Sequence, residues 1–269
     1  MGTFDTLIKI FFPKNEFKIK KDLRLLAELT IVDFKLLYKN SKIGYLWAIF
    51  KPLFQLAILY IVFSIFFHLE MKNYQLFLLI GIIIWNFFSD ATNQGMSSPV
   101  RKGNLIKQVN FNRYLIVLSS CFSALITLAL NLIVFFILVM IFQKELFTTT
   151  IMLPFYLILL FFFSFGTALI LSSFYPKYRD LSHVWEIILL MGFWITPIIY
   201  PITQVPQKFV NYYNFNIMSR IINDARDAVL FKYVPSIKHL AITVLMVAII
   251  FALGYWIFKK RSPNFAEDL

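Results

Sequence analysis

Apolar residues in this chain fall into six long runs separated by short polar stretches. The runs cover residues 43–67, 74–92, 114–142, 153–175, 183–200 and 239–258. A helix of about 20 apolar residues matches the hydrocarbon thickness of a bilayer, so six membrane-spanning helices are expected. Ahead of the first run, Leu25, Leu29, Val32 and Leu36 form an apolar stripe at helical spacing, and Arg24, Glu28, Lys35 and Lys39 form a charged one. This pattern predicts an amphipathic helix over 22–40 lying in the membrane interface. The fifth run is interrupted by Pro197 and Pro201, each of which removes a backbone donor and clashes with the preceding turn. Beyond it, Met218, Ile221, Ile222, Ala225 and Val229 share one helical face, with Arg220, Asp224 and Asp227 on another. We read a broken fifth helix followed by one or two short helices dipping into the outer leaflet. Irregular backbone at that depth survives only against protein or a water-lined cavity, which suits a pore entrance or gate. An ordinary interfacial helix is the alternative.

Between the second and third runs, residues 97–115 carry Arg101, Lys102, Lys107 and Arg113 with no acid among them. Such a loop stays cytoplasmic. Asn104 is a suitable N-cap, and Leu105, Ile106 and Val109 fall on one side of a short helix over 104–111. That helix is either a docking surface for a cytoplasmic partner or a segment resting on anionic lipid.

Composition supports this organisation. The chain is 59% hydrophobic and 19% aromatic over 269 residues, against about 45–50% apolar in soluble domains. The formal net charge of +12 follows from positive-inside loops and anionic headgroups, and the sequence has no basic–aromatic groove suited to nucleic acid. With the N-terminus inside, 19 of the 26 lysines and arginines fall in inner segments. Both termini are therefore expected to be cytoplasmic. The expected division is a cytoplasmic N-terminal segment (1–42), a six-span domain (43–258) and a cytoplasmic tail (259–269). The one cysteine, Cys121, excludes an intrachain disulfide and a thiolate metal cage.

Catalytic chemistry is sparse. There is no GxxxxGK[ST], HExxH, CxxC or GxSxG motif. Asp224 and Asp227 form a DxxD pair, better read as a polar helix face than as a metal–diphosphate site. Glu186 is the intramembrane acid singled out, close enough in sequence to Lys177 and Arg179 for an ion pair. Trp47, Trp85, Trp194, Tyr200 and Trp256 fit interface belts, and aromatic rings also suit a sugar-conducting surface.

Five motifs occur in order: GYLWAIFKPL (44–53), FLLIGIIIWNFFSDA (77–91), NLIKQVNFNR (104–113), YPKYRDLSHV (175–184) and WITPIIYP (194–201). Together they resemble the membrane subunit of polysaccharide ABC exporters, the type-2 permeases for O-antigen, capsule and teichoic acid. The resemblance runs from about residue 25 to 258. It implies an all-α integral membrane fold, with an N-terminal amphipathic interface helix, six spans, a cytoplasmic coupling helix and broken gate helices between spans five and six. It further implies a homodimer of permease chains in the cytoplasmic (inner) membrane, two separate ATPase subunits below, and an undecaprenyl-diphosphate-linked glycan as cargo. ATP and Mg would sit on the partner ATPase, with no cofactor, metal or catalytic residue in this chain. The resemblance places the ATPase coupling helix on Asn104, Leu105, Ile106, Lys107, Val109, Phe111 and Arg113. It places the outer gate on Trp194, Pro197, Tyr200, Pro201, Asn216, Ile221 and Arg226. Lys39, Lys42, Lys51 and Arg179 are the inner-face candidates for the lipid diphosphate, with positive-inside anchoring as their other explanation. The chain departs from the family's frequent patterns at Lys51-Pro52, at Phe111-Asn112-Arg113-Tyr114 and at Asn216-Ile217, where Asn-Pro is common. A type-2 permease for a lipid or drug is the alternative, and a membrane glycosyl- or prenyl-transferase a remoter one.

Overall fold

A computed structural model describes residues 16–39, 41, 43–68, 71–109 and 111–265. The N-terminal segment and C-terminal tail are thus covered in part, and Lys42 lies outside the described residues. Among those described there are helices and turns but no strand. In chain order they are α1 (Glu16–Leu37), a 3-10 turn (Gly44–Leu46), α2 (Trp47–Tyr60) widening into a π-helical turn (Ile61–Phe66), and α3 (Tyr74–Arg101). There follow the short α4 (Gly103–Gln108), α5 (Tyr114–Phe142), α6 (Leu153–Phe174), α7 (Leu181–Ile195), α8 (Gln207–Phe215), α9 (Ile217–Leu230) and α10 (Ile237–Arg261).

Five stretches are long and apolar enough to cross a membrane: Gly44–Phe66, Tyr74–Arg101, Tyr114–Phe142, Thr148–Phe174 and Ile237–Asn264. The third and fourth agree with the expected runs to within a residue, leaving aside the 3-10 turn that leads into the fourth. The fifth expected span differs. Its helix, α7, has 15 residues, about 22 Å of rise against a hydrocarbon core of about 30 Å. It ends at Ile195 because Thr196 precedes proline and is extended, at φ −72° and ψ 138°. The second span differs too, running on past residue 92 to Arg101 with Pro99 inside it. Serine hydroxyls bond back to the preceding turn there, from Ser97 to the Asn93 carbonyl at 3.0 Å and from Ser98 to that of Gly95 at 2.7 Å.

α3 is the axis of the bundle. It packs against α2, α5, α6 and α9, and most of its side chains are buried. α6 and α10 approach most closely where two glycines meet. A Cβ on Gly254 would collide with the Gly166 carbonyl, the small-residue contact that lets membrane helices gain dispersion contacts backbone to backbone. α1 lies along α5. It turns Thr30 and Asp33 inward, while Val32 and Leu36 of the expected apolar stripe are exposed. α1, α4, the start of α5 and the end of α10 gather at one end of the bundle, here called the basic end. At the opposite end α9 is covered by α3, α6 and α10.

Candidate functional site

At the end opposite the basic one, a single arginine organises the break after α7. Arg226 on α9 is 1% exposed. Its Nε donates to the Phe77 carbonyl at 3.0 Å, Nη1 to that of Pro197 at 2.5 Å and Nη2 to that of Ile198 at 2.6 Å. The guanidinium also lies 3.5 Å from the centre of the Phe77 ring. Pro197 and Ile198 have left the helix, so their carbonyls need outside donors. A buried unpaired carbonyl costs about 1–3 kcal/mol, and arginine's fixed fork supplies several donors at once. Gly81 on α3 makes the space, because a Cβ there would collide with the guanidinium. Tyr74 adds a bond to the Ile199 carbonyl at 2.8 Å. Asn216 caps α9 by accepting from the Ser219 amide at 3.2 Å, and its amide donates to the Thr196 hydroxyl at 3.1 Å. α9 thus starts directly after Asn216 even without the family's proline. Tyr200 meets Tyr213 hydroxyl to hydroxyl at 2.9 Å. Of the expected gate residues, Ile221 is buried in the core, and Pro197, Tyr200, Asn216 and Arg226 are drawn into one assembly. Pro201 is half-buried beside it, and the Trp194 ring is exposed although its carbonyl accepts from Tyr200.

The expected polar face of α9 does not face water. Arg220 and Asp224 are buried against the start of α10, and Asp227 is half-buried beside a small cavity that Tyr233, Pro235 and Ser236 also line. Arg220 donates to the Thr243 hydroxyl at 2.8 Å and to the carbonyls of His239 at 2.7 Å and Asn214 at 3.1 Å. Asp224 lies 3.1 Å from His239 Nε2. Burial pushes the Asp224 carboxyl up to about 7, with Arg220 opposing and Asp227 reinforcing, and that of Asp227 up to about 6, with Arg226 opposing. No group of three or more metal-ligating side chains occurs among the described residues. Next to this assembly an open cavity of 910 Å³ is lined largely by rings: Phe63, Phe67, Tyr200, Phe209, Tyr212 and Tyr213.

The middle of the bundle holds a polar seam. α2 and α3 are antiparallel, and two rungs one helical turn apart join them. Gln55 accepts from the Asn86 amide at 3.2 Å, and Lys51 Nζ lies 3.7 Å from Asp90. A cavity flanks the seam on each side. One, of 490 Å³, is bounded by α2, α3 and α7 and includes Asn86, Ser89, Asn93 and Glu186. The other, of 480 Å³, is bounded by the end of α1, α2, α3 and α5. Asp90 is the intramembrane acid that reading by runs passes over. Its signal is the row Asn86, Ser89, Asp90, Asn93, Gln94, Ser97, which recurs at helical spacing in an otherwise apolar helix. Glu186 makes no ion pair among the described residues, so the expected bond to Lys177 or Arg179 is not formed. Lys39 and Arg179 are exposed, the latter 5.4 Å from the Tyr175 ring.

At the basic end the expected coupling helix is present but shorter and displaced. α4 begins at Gly103 with Lys102 as its N-cap residue, so Asn104 is inside it and caps nothing. Val109 is extended, and Phe111 lies beyond the helix, packed on the core. The expected apolar side is split. Ile106 is 7% exposed, Leu105 is half-buried and Val109 is 44% exposed. The outward surface is instead Asn104, Lys107, Gln108 and Val109. Arg113 bonds to the Ser262 carbonyl at the end of α10, and Asn112 to Asp22 of α1 at 2.6 Å.

A family model described as ABC-2 type transporter matches residues 24–230. An O-antigen export system permease protein RfbA of Klebsiella pneumoniae is 26% identical over 257 residues, covering 94% of this chain and 99% of that protein. RfbA of Myxococcus xanthus is 22% identical, over 91% of this chain and 95% of its own length. The polysialic acid transport protein KpsM of Escherichia coli is 24% identical, over 87% and 92%.

Proposed function

The chain belongs to the ABC-2 type transporter family, and from that premise we propose that it is the membrane permease subunit of an ATP-driven exporter of polysaccharide. The observation that carries the reading is the polar seam. An apolar bundle whose central helix presents a continuous row of amides, hydroxyls and one acid to α2 and α7 is suited to passing a hydroxyl-rich chain. The ring-lined cavity of 910 Å³ beyond it supports the same cargo class, because sugar faces slide over aromatic rings without binding them tightly.

In this reading two copies form the conduit, and two ATPase subunits, which hold ATP and Mg, dock beneath. The basic end is the cytoplasmic one in this reading, with both termini inside, as the lysine and arginine distribution supports. α4 receives the motion of the ATPase. Its root is stiff: Lys102 is tied to Asp33 of α1, and Arg113 to α10. Displacement of α4 is therefore passed to α1 and α10 at once. At the far end, the segment from Thr196 to Tyr200, held by Arg226, acts as the gate. The cargo is carried on undecaprenyl diphosphate, whose charge is met at the inner face by Lys39 and Arg179, together with Lys42, while Lys51 is taken up by Asp90.

Depletion of this chain tests the proposal. Lipid-linked glycan is expected to accumulate on the cytoplasmic side while surface polymer falls. Normal surface polymer without accumulation overturns it.

A further inference from the structure

We propose that the 480 Å³ chamber between the end of α1, α2, α3 and α5 binds a glycosyl ring. The site is separate from the α2–α3–α7 side of the seam. The inference rests on the polysaccharide reading above and specifies where a sugar is recognised.

Asn131 is the central observation. It sits within the 29-residue apolar helix α5, is 6% exposed, lines the chamber and makes no hydrogen bond among the described residues. A buried primary amide has two donors and two acceptor lone pairs, and leaving them unmatched is costly in hydrocarbon surroundings. Gln94, across the chamber on α3, also lines it, although its unpartnered Oε1 is turned away from the open space. An unpartnered amide facing an open space marks a place where a polar guest supplies the missing partners.

The remaining wall narrows the class of guest. Lys51 and Asp90 both line the chamber and neutralise each other at 3.7 Å, so the site has no net charge to select a phosphate. Thr127, one turn from Asn131, contributes a hydroxyl that meets that of Tyr38, and Trp47 a ring. Paired amides, a carboxylate, a hydroxyl and an aromatic plate suit a neutral ring bearing several hydroxyls. The volume lies within the about 300–1,000 Å³ typical of small-ligand sites. Such a ring reaches the chamber from two sources: the glycan on the polyprenyl carrier, or the headgroup of a glycolipid of the surrounding membrane. Because the rungs Lys51–Asp90 and Gln55–Asn86 form the wall towards the other cavity, a ring that competes for Asp90 also loosens the α2–α3 seam.

The test uses the full chain in phosphatidylcholine nanodiscs doped with one of three lipids: a glycosyl diphosphopolyprenol, the same diphosphopolyprenol without sugar, or glucosyl-diacylglycerol. Retained lipid is read by native mass spectrometry for the wild type and for Asn131→Leu and Thr127→Val, both apolar replacements that suit a membrane helix. The glycosylated carrier is expected to lose retention about tenfold in Asn131→Leu, the loss of one or two hydrogen bonds, and to lose less in Thr127→Val. The sugar-free carrier should be unaffected. An equal loss for glucosyl-diacylglycerol assigns the ring to any glycolipid; no effect on it assigns the ring to the carrier. Equal retention of the glycosylated carrier by wild type and Asn131→Leu overturns the proposal, as does an equal loss for the sugar-free carrier. Complementation of depleted cells separates the two levels. If the wild type restores export while its retention matches that of Asn131→Leu, the chamber is rejected and the transport function stands.

Discussion

Asp33 on α1 and Lys102 between α3 and α4 form an ion pair at 2.5 Å in which the two side chains are 4% and 12% exposed. The Ser119 hydroxyl on α5 accepts from Lys102 at 2.8 Å and lies 3.1 Å from Asp33, and Ser120 lies 3.3 Å from the same carboxylate. This one knot joins the N-terminal helix, the root of α4 and the start of a long span. Breaking a buried pair by removing one member leaves the other uncompensated, at a cost of about 3–5 kcal/mol. Asp33→Ala should therefore lower the thermal midpoint of the purified chain sharply. The double variant Asp33→Ala with Lys102→Met, which removes both charges, should recover most of that loss. Midpoints in detergent check this, and a double variant no better than the single one contradicts it.

The Arg226 assembly predicts that lysine is no substitute for arginine there. A lysine ammonium has no planar fork for the three carbonyls of Phe77, Pro197 and Ile198. Arg226→Lys should free the segment between Thr196 and Tyr200. A cysteine placed at Ile198, which is fully buried, should then react with a membrane-impermeant maleimide at least about tenfold faster than in the parent, as expected if the closed state loses about 1.4 kcal/mol. Gly81→Ala, which pushes on the same guanidinium from α3, should act in the same direction. Unchanged labelling in both variants would show that the arginine does not hold the segment.

How far the sequence reaches can be judged from these residues. The run of apolar residues from 114 to 142 is enough to place α5 at both ends, because hydrocarbon thickness imposes its length. The prolines after α7 announce a break, since proline acts locally. Arg226 can be listed as a gate residue on resemblance, but its carbonyl partners cannot. Phe77 lies 149 positions away and becomes a neighbour only when α9 folds back onto α3. Asp33 and Lys102 are 69 positions apart and read as surface charges until α1 is seen lying along α5. The edge of α4 is missed for a different reason. Asn104 has the chemistry of an N-cap, but α3 runs on to Arg101 and the next helix starts two residues early, with Lys102 at its cap position.

Stability should depend on pH through Asp224. Its carboxyl is raised from 3.8 to about 7 in the folded chain, so between those values the folded state holds a proton that the unfolded state has released. Stability from this group is then greatest below about pH 4 and is lost as pH rises to about 7. Asp227, raised to about 6, acts with the same sign. Asp224→Asn should flatten the decline of the thermal midpoint between pH 4 and pH 7 without abolishing it. A variant whose profile follows that of the parent, or a parent whose stability rises through this window, contradicts the assignment.

The split face of α4 separates folding from docking. Ile106 is buried, so Ile106→Asp places a charge in the core and should reduce the amount of folded chain in the membrane. Val109 is 44% exposed at the outward surface, so Val109→Asp should leave insertion, yield and thermal midpoint close to those of the parent. If α4 is where the ATPase docks, removing an apolar contact worth about 1.5 kcal/mol should weaken ATPase capture about tenfold and lower export correspondingly. Co-purification of the ATPase with each variant, measured beside surface polymer, decides the matter. Full capture and full export by Val109→Asp, with Lys107→Glu behaving the same way, would move the docking surface off α4 and leave α1 as the next element to examine.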